Sequence, residues 1–456
     1  MAFLDDTVRR TMAAVEQKFL FRKIGLPFDY ASSPDDFPSK AFANAKEARA
    51  NLPNPGGLGG GYHYSCRNHA LLFDGYLLRM ELGIEGSGDE AIFDRLIGGL
   101  IRLATVAPKS FLISGLAADG RGFYGQASLD NHLAWAFAVF RGLATPVISP
   151  ESQEKFRSIA GKWMDRVKRE KFHLHSVDGK PIASGDFSRA DPEFGPFLLA
   201  MLLTTARASG DEKDYELYGA MAEEGRRARL ASFRDDEVRE DTHRRLWRQA
   251  AFALLADFDP EPSRAALARD RLRANARSAS RRIGDWREWK APPAGFDLNL
   301  DWRKRPRASF EKSPLGFIPH ASWAVIDGER SLAAALHAMY VMLLAGDAEL
   351  LEPHQAEMEE CLSVVPWFDL VSLNAAAPVV GVHARGVELG LWDKTLYDSR
   401  RVVPVLESAL SAKYLAPDYD ARNPGQAGHR SVSVDNRGGE AEEKNGGGKR
   451  KRRRRR

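Results

Sequence analysis

The chain has 456 residues, of which 44% are hydrophobic and 28% charged, a balance typical of a globular protein with a large core. Its formal net charge of +4 hides an asymmetry, because residues 449–456, from Lys449 to Arg456, are all basic and leave the rest of the chain at −4. No apolar run approaches the roughly 18 residues of a membrane span, and the first residues lack the pattern of a secretory signal, so we expect a cytoplasmic protein without a transmembrane segment.

Apolar periodicity, punctuated by glycine and proline, predicts about twelve helices. In chain order they cover residues 5–20, 66–82, 89–106, 129–143, 151–169, 192–208, 212–233, 241–258, 264–283, 322–344, 350–365 and 375–391. Strand-like alternation is scarce apart from residues 172–182, where Asp178 and Gly179 predict the turn of a β-hairpin. The predicted fold class is therefore all-α.

Apolar helices alternate with charged ones along the chain. Six helical hairpins closed into a ring require this order, because an inner helix is buried on both flanks whereas an outer helix keeps one face in water. The pattern resembles the (α/α)6 toroid shared by many glycoside hydrolases and polysaccharide lyases, including the unsaturated-glucuronyl hydrolases. The resemblance covers about residues 5–410, and its best local match runs from Tyr124 to Trp135. A helical-repeat solenoid is the competing architecture, although no residue motif repeats at the hairpin period.

The expected domain organisation is one toroid domain over residues 1–413, followed by a polar linker and a polybasic tail over residues 414–456. Glycine, asparagine and glutamate dominate this second segment, which predicts disorder. The run that ends at Arg456 has no interleaved aromatic residues, so it predicts contact with a polyanion without base recognition.

The stretch from Gly120 to Trp135 is the strongest candidate for a pocket. It is a glycine-rich loop that runs into an apolar helix, with Ser128 as a possible cap and Asp130 in the first turn. Glycosidic cleavage needs a carboxyl group that protonates the leaving oxygen, and the predicted general acid is Asp130. The alternative is that this carboxylate only stabilises the start of the helix.

In a toroid, the loops that enter the inner helices gather at one end of the ring. Aromatic rings there suit the apolar faces of sugars, and carboxylates, amides and guanidinium groups suit hydroxyls and uronates. The candidate residues, loop by loop, are His63, Tyr64, Arg67 and Asn68; Tyr124, Gln126, Asp130, Asn131 and His132; Asp186 and Arg189; His243; His320 and Trp323; and Trp367.

The predicted function is hydrolysis of a glycosidic bond in an oligosaccharide, with Asp186 as the second carboxylate. Nearby Asp191 precedes Pro192 and is predicted to be a helix cap. One alternative is β-elimination on a uronate, in which Tyr124 and His132 move the proton. A second alternative is a non-catalytic helical binding protein that carries an electrostatic tail.

No cofactor or metal is predicted. Cys66 and Cys361 are too distant in sequence to suggest a disulfide framework or a cysteine-based metal site. His173 and His175 alternate in the predicted hairpin, but no third ligand lies nearby in the sequence. A Walker loop and a dinucleotide-binding fingerprint are also missing from the sequence.

Overall fold

The computed structural model of the chain describes residues 2–21, 23–29, 65–86, 88–117, 119–124, 127–175, 179, 181–186, 195–225, 242–291 and 320–392. This part is mostly helical, which confirms the predicted all-α class. Its twelve long helices are α1 (Ala2–Ala14), α2 (Ser65–Leu82), α3 (Asp89–Thr105), α4 (Leu129–Ala144), α5 (Pro150–Arg169), α6 (Gly195–Ser209), α7 (Glu212–Gly225), α8 (Thr242–Phe258), α9 (Pro262–Ser280), α10 (His320–Ala345), α11 (Gln355–Val364) and α12 (Leu373–Glu388).

Strands are short and occur as three antiparallel pairs in the described residues. The pairs are β1 (Leu20–Phe21) with β2 (Leu26–Pro27), β3 (Gly115–Leu116) with β4 (Phe123–Tyr124), and β5 (His173–His175) with β6 (Pro181–Asp186). The third pair confirms the predicted hairpin and places His173 opposite Asp186.

The helix predicted over residues 350–365 is broken in the structure. A single helical turn, Ala348–Leu351, is followed by a 3-10 turn, Glu352–His354, before α11 begins at Gln355. Pro353 explains the break, because proline has no N–H to donate to an intrahelical hydrogen bond and its ring clashes with the carbonyl of the preceding turn.

Within the described residues, six helices are buried over most of their length: α2, α4, α6, α8, α10 and α12. Each of them packs against the next in chain order, and α12 packs against α2, so their contacts form a closed cycle. Helices α3, α5, α7 and α9 pack against these six and keep exposed polar faces. The predicted alternation of apolar and charged helices therefore corresponds to buried and partly exposed helices.

Contacts between matching positions show that α2, α4 and α8 run in the same direction. Arg67, near the start of α2, pairs with Asp130 near the start of α4, and Glu81 near the end of α2 pairs with Arg141 near the end of α4. Similarly, the rings of Phe137 and Trp247 lie 6.3 Å apart, and those of Phe140 and Phe258, further along both helices, lie 4.3 Å apart. The N-terminal ends of these buried helices therefore lie at one side of the domain.

A buried ionic cluster joins four of the six buried helices. Asp74 of α2 has no solvent exposure, and its carboxylate accepts hydrogen bonds from Arg141 Nε of α4 at 3.0 Å and from Arg385 Nη2 of α12 at 2.7 Å. The Tyr340 hydroxyl of α10 also donates to Asp74. Burial by itself would raise the pKa of Asp74, but Arg385 and Arg141 outweigh it and lower that pKa below its usual range. The carboxylate is therefore ionised and fully surrounded by donors.

We expect Asp74→Asn to lower the free energy of unfolding by about 3–5 kcal/mol, because it leaves the buried guanidinium of Arg385 and the partly exposed guanidinium of Arg141 without their shared anion. Urea denaturation measures this change. The matched control is Asp165→Asn, which removes an exposed carboxylate from α5 and should shift stability by less than about 0.5 kcal/mol. Equal effects of the two substitutions would contradict the structural role of the cluster.

Helices α2 and α12 approach each other closely at two glycines. A Cβ atom on Gly75 would lie 2.8 Å from the backbone nitrogen of Gly381, which no side chain can tolerate without a shift of the helices. At Gly161 in α5, by contrast, no atom of the described residues lies within 4 Å of the place that a Cβ would occupy.

The surroundings of these two glycines predict that the same substitution, glycine to alanine, changes the stability of the protein in opposite directions. Gly75→Ala should destabilise the protein by about 1–3 kcal/mol through overpacking, whereas Gly161→Ala should stabilise it by about 0.5–1 kcal/mol through helix propensity. Thermal unfolding of both variants beside the wild type tests the pair, and stabilisation by Gly75→Ala would contradict the close approach.

Candidate functional site

The first turns of α2 and α4 bring three of the predicted site residues together. Arg67 forms an ion pair with Asp130, whose other carboxylate oxygen accepts a hydrogen bond from the Ser128 hydroxyl. Asn131 Nδ2 donates to the same hydroxyl at 3.0 Å, and the Cys66 thiol donates to the Asn131 carbonyl at 3.4 Å. This cluster of Arg67, Ser128, Asp130 and Asn131 is called the α2–α4 cluster below.

Asp130 is the partly exposed member of the cluster. Its side chain is 18% exposed, against 8% for Arg67. A guanidinium and a hydroxyl that both donate to one carboxylate stabilise the anion. In this arrangement Asp130 is suited to accept a proton or to stabilise positive charge, and less suited to the predicted role of proton donor.

His132 lies one turn into α4 and is almost completely buried. Trp163 Nε1 donates to His132 Nδ1 at 3.1 Å, and the two rings stack with centroids 5.7 Å apart. Burial, and next the positive charge of Arg166, lower the pKa of His132 to about 3. The imidazole is therefore neutral near pH 7 with Nδ1 as an acceptor, an environment that disfavours the predicted role in proton transfer.

A narrow cavity without room for a water molecule adjoins His132. It is lined by Phe111, Leu112, His132, Trp163, Arg166, Leu174, His175 and Ile182. Arg166 is part of this lining. It donates hydrogen bonds to Glu170 Oε1 at 2.7 Å and to the His175 carbonyl at 2.6 Å. The hairpin β5–β6 thus closes one side of the cavity, and β6 also packs against α4.

Asn68 belongs to a second group of contacts, at the start of α12. Its Nδ2 donates to Asp29 Oδ1 at 3.4 Å, and the Asp29 carbonyl accepts from the Leu373 backbone at 2.8 Å. Asn68 therefore connects α2 to α12 through the segment that follows β2, and its hydrogen bond has a structural role.

Glu329 of α10 was not anticipated from the sequence. It is 2% exposed and accepts hydrogen bonds from the backbone N–H groups of Val371 at 3.1 Å and Ser372 at 2.7 Å. Burial raises the pKa of Glu329 to about 7, although these two N–H groups and the charge of Lys18 oppose the change. The available signal was a pair of carboxylates, Asp327 and Glu329, shortly before the apolar half of the predicted helix.

Trp367, which was predicted to contact substrate, lies in the 3-10 turn Trp367–Asp369 before α12. The indole is 1% exposed and belongs to the hydrophobic core beside the start of α12. A fully buried ring has no face to offer a sugar, and its large apolar surface explains why it is buried.

Several predicted residues lie outside what the structure describes. His63, Tyr64, Gln126 and Arg189 fall outside the described residues, as do the linker and the basic run over residues 414–456. Only the backbone is described for Tyr124, Asp186, His243, His320 and Trp323. Their positions follow from the elements: Tyr124 lies in β4, Asp186 in β6, His243 at the start of α8, and His320 and Trp323 at the start of α10.

Among the described residues, no three His, Cys, Asp or Glu side chains come close enough together to hold a metal ion. None of the described helices is long and apolar enough to cross a lipid bilayer. Comparisons with known proteins find no matching family model, no matching curated protein and no matching solved structure.

The environment of Glu329 predicts a dependence of stability on pH. Because its pKa is raised in the folded state, the folded protein binds this proton more tightly than the unfolded chain. The stabilisation is complete below the unfolded pKa near 4.5 and is lost as the pH rises through about 7. This contribution amounts to about 1–3 kcal/mol.

We expect Glu329→Gln to remove that part of the pH dependence between about pH 4.5 and 7. Denaturant unfolding at a series of pH values measures it, with Glu349→Gln, an exposed site in the turn before α11, as the matched control. Curves for Glu329→Gln that run parallel to those of the wild type would show that this carboxyl group does not titrate in that range.

Proposed function

We propose that the chain is a carbohydrate-active enzyme that hydrolyses a glycosidic bond, built on an (α/α)6 toroid. The closed cycle of six buried helices supports the toroid, because a solenoid would leave its first and last helices apart. The observation that carries the function is the α2–α4 cluster, which sets a partly exposed carboxylate among polar groups where buried helices begin.

Asp130 takes the role of the ionised carboxylate in this proposal. Held by Arg67 and Ser128, it activates a water molecule or stabilises the positive charge that develops on the sugar ring. Asp186 takes the role of the carboxylic acid that protonates the leaving oxygen. Its strand, β6, packs against α4, the helix that carries Asp130.

Substrate contacts come from the polar groups around these carboxylates. Asn131 is 3% exposed, and its Oδ1 has no hydrogen-bond partner in the described part of the chain. A buried amide oxygen that accepts no hydrogen bond destabilises the protein, and a hydrogen bond from a sugar hydroxyl would offset that cost. Tyr64, Tyr124 and Gln126, from the loops that lead into α2 and α4, complete the proposed sugar site.

Hydrolysis is favoured over β-elimination because of His132. An eliminating enzyme needs a base beside the uronate, and an imidazole whose pKa is about 3 accepts a proton poorly near neutral pH. Elimination would then depend on a tyrosine such as Tyr124.

The direct test is an activity screen of the purified protein against neutral and acidic oligosaccharides. Two readouts in the same wells, new reducing ends and absorbance of an unsaturated uronate, separate hydrolysis from elimination. We expect reducing ends without absorbance, and a decrease in kcat of at least about 100-fold in Asp130→Asn, because the anionic oxygen is lost while the side-chain shape is kept.

Asp165→Asn is the matched control, since it removes an exposed carboxylate from α5 and should leave kcat unchanged. Thermal unfolding of both variants separates loss of chemistry from loss of folding. Appearance of the absorbance would establish elimination instead, and no product from any substrate would leave a non-catalytic binding protein as the conclusion.

A further inference from the structure

Three arginines lie where α8 begins and α9 ends. The two helices pack antiparallel, because Gln249 Nε2 donates to the Leu272 carbonyl at 3.0 Å and Arg269 Nη2 donates to the Ala256 carbonyl at 2.9 Å, so the start of α8 lies beside the end of α9.

Arg245 lies in the first turn of α8, and Arg281 and Arg282 directly follow the last residue of α9. Arg281 is exposed and Arg282 is partly exposed, so the group is open to solvent from that side. The three residues are called the arginine cluster below.

Arg245 is the unusual member of the cluster. It is 9% exposed, and within the part of the chain that the structure describes its guanidinium has no hydrogen bond and no ion pair. Buried guanidinium groups are almost always paired, because removing the charge from water is costly without a compensating anion. The described arginines Arg67 and Arg385 follow this rule through Asp130 and Asp74.

The surroundings of Arg245 increase this cost. Burial, and then the positive charges of Arg282 and Arg281, lower the pKa of Arg245 below its usual range. The start of a helix is also the positive end of its dipole, which repels a cation and attracts an anion. Asp285 offsets only part of the charge, through its contact of 2.7 Å with Arg282 Nε.

The cluster lies at the same end of the buried helices as the α2–α4 cluster. Helix α8 runs in the same direction as α4, so the first turn that carries Arg245 is on the same side as the turn that carries Asp130. Both clusters therefore lie at the same end of the buried helices.

We propose that Arg245, Arg281 and Arg282 form an anion-binding site that holds an oxyanion substituent of the ligand, a carboxylate or a sulfate ester. The guanidinium fork binds such planar or tetrahedral oxygen groups through paired hydrogen bonds. That the oxyanion is carried by a sugar rests on the proposed function, whereas the anion site does not depend on it.

Isothermal titration at low ionic strength with four probes tests the proposal: galacturonate, galactose 6-sulfate, inorganic sulfate and neutral galactose. We expect the two acidic sugars to bind and galactose to bind at least tenfold more weakly. In Arg245→Gln the affinity for the acidic sugars should fall at least tenfold, while Arg157→Gln, an exposed site on α5, should leave it unchanged.

Thermal unfolding without ligand gives a second readout. A structural arginine would destabilise the protein when replaced, whereas Arg245→Gln should leave the melting temperature unchanged or raise it, because the like charges no longer repel. Stabilisation by galacturonate should disappear in this variant and persist in Arg157→Gln.

Each outcome decides a separate point. Binding of none of the anions, or binding that Arg245→Gln leaves intact, overturns the anion site. Binding of inorganic sulfate alone overturns the sugar-borne oxyanion. Hydrolysis of neutral oligosaccharides without anion binding would support the proposed function and overturn the anion-binding site. Anion binding without any hydrolysis would support the anion-binding site and overturn the proposed function.

Discussion

The buried carboxylate of Asp74 is the constraint on which the arrangement of the helices depends. A charge with no solvent exposure is tolerated only when its partners come from fixed positions, and these partners lie on α4, α10 and α12. The hydrogen bonds to this one carboxylate therefore fix how far four helices are shifted along their axes relative to one another. Gly75, the next residue along α2, allows α12 to approach closely enough for Arg385 to reach that carboxylate.

The polar groups at the N-terminal ends of the buried helices have fewer hydrogen-bond partners than the carboxylate of Asp74. The Asp74 carboxylate accepts hydrogen bonds from three side chains. Among the described residues, by contrast, the buried amide oxygens of Asn131 and Asn374 have no hydrogen-bond partner, and the guanidinium of Arg245 forms no hydrogen bond or ion pair. Buried polar groups that lack hydrogen-bond partners, at a place where several helices begin, are typical of a ligand site. Helix N-terminal ends favour anions, and a bound ligand supplies the missing hydrogen-bond partners. The candidate active site and the arginine cluster share this property, and the two proposals use it for different parts of one ligand.

Position in the fold, more than residue type, decides which of the predicted site residues lie together. Arg67, Asp130 and Asn131 meet as expected, because the residues that start neighbouring parallel helices lie side by side. Trp367 has the residue type of a sugar platform but lies in the core. The pKa of His132 is low chiefly because the ring is buried, and next because of Arg166 on α5, the helix that also supplies the contact with Trp163. Glu329 escaped notice because its importance comes from the backbone of residues 371 and 372, which a sequence pattern does not place beside it.

Local information in the sequence determined the helices and their alternation. Periodicity of apolar residues reports which face of each helix is buried, and proline and glycine mark where helices end. Most described boundaries agree within about three residues. The exceptions are Pro353 and the first helix, whose α-helical part ends at Ala14 before a π-helical turn over Val15–Phe19. Only the tertiary structure decided which polar residues meet. Asp74 and Arg385 are 311 positions apart, and the ionisation of Asp74, the isolation of Arg245 and the pairing of Asp130 all depend on distances between helices. Charge interactions and burial vary with those distances, and residue spacing along the chain does not encode them.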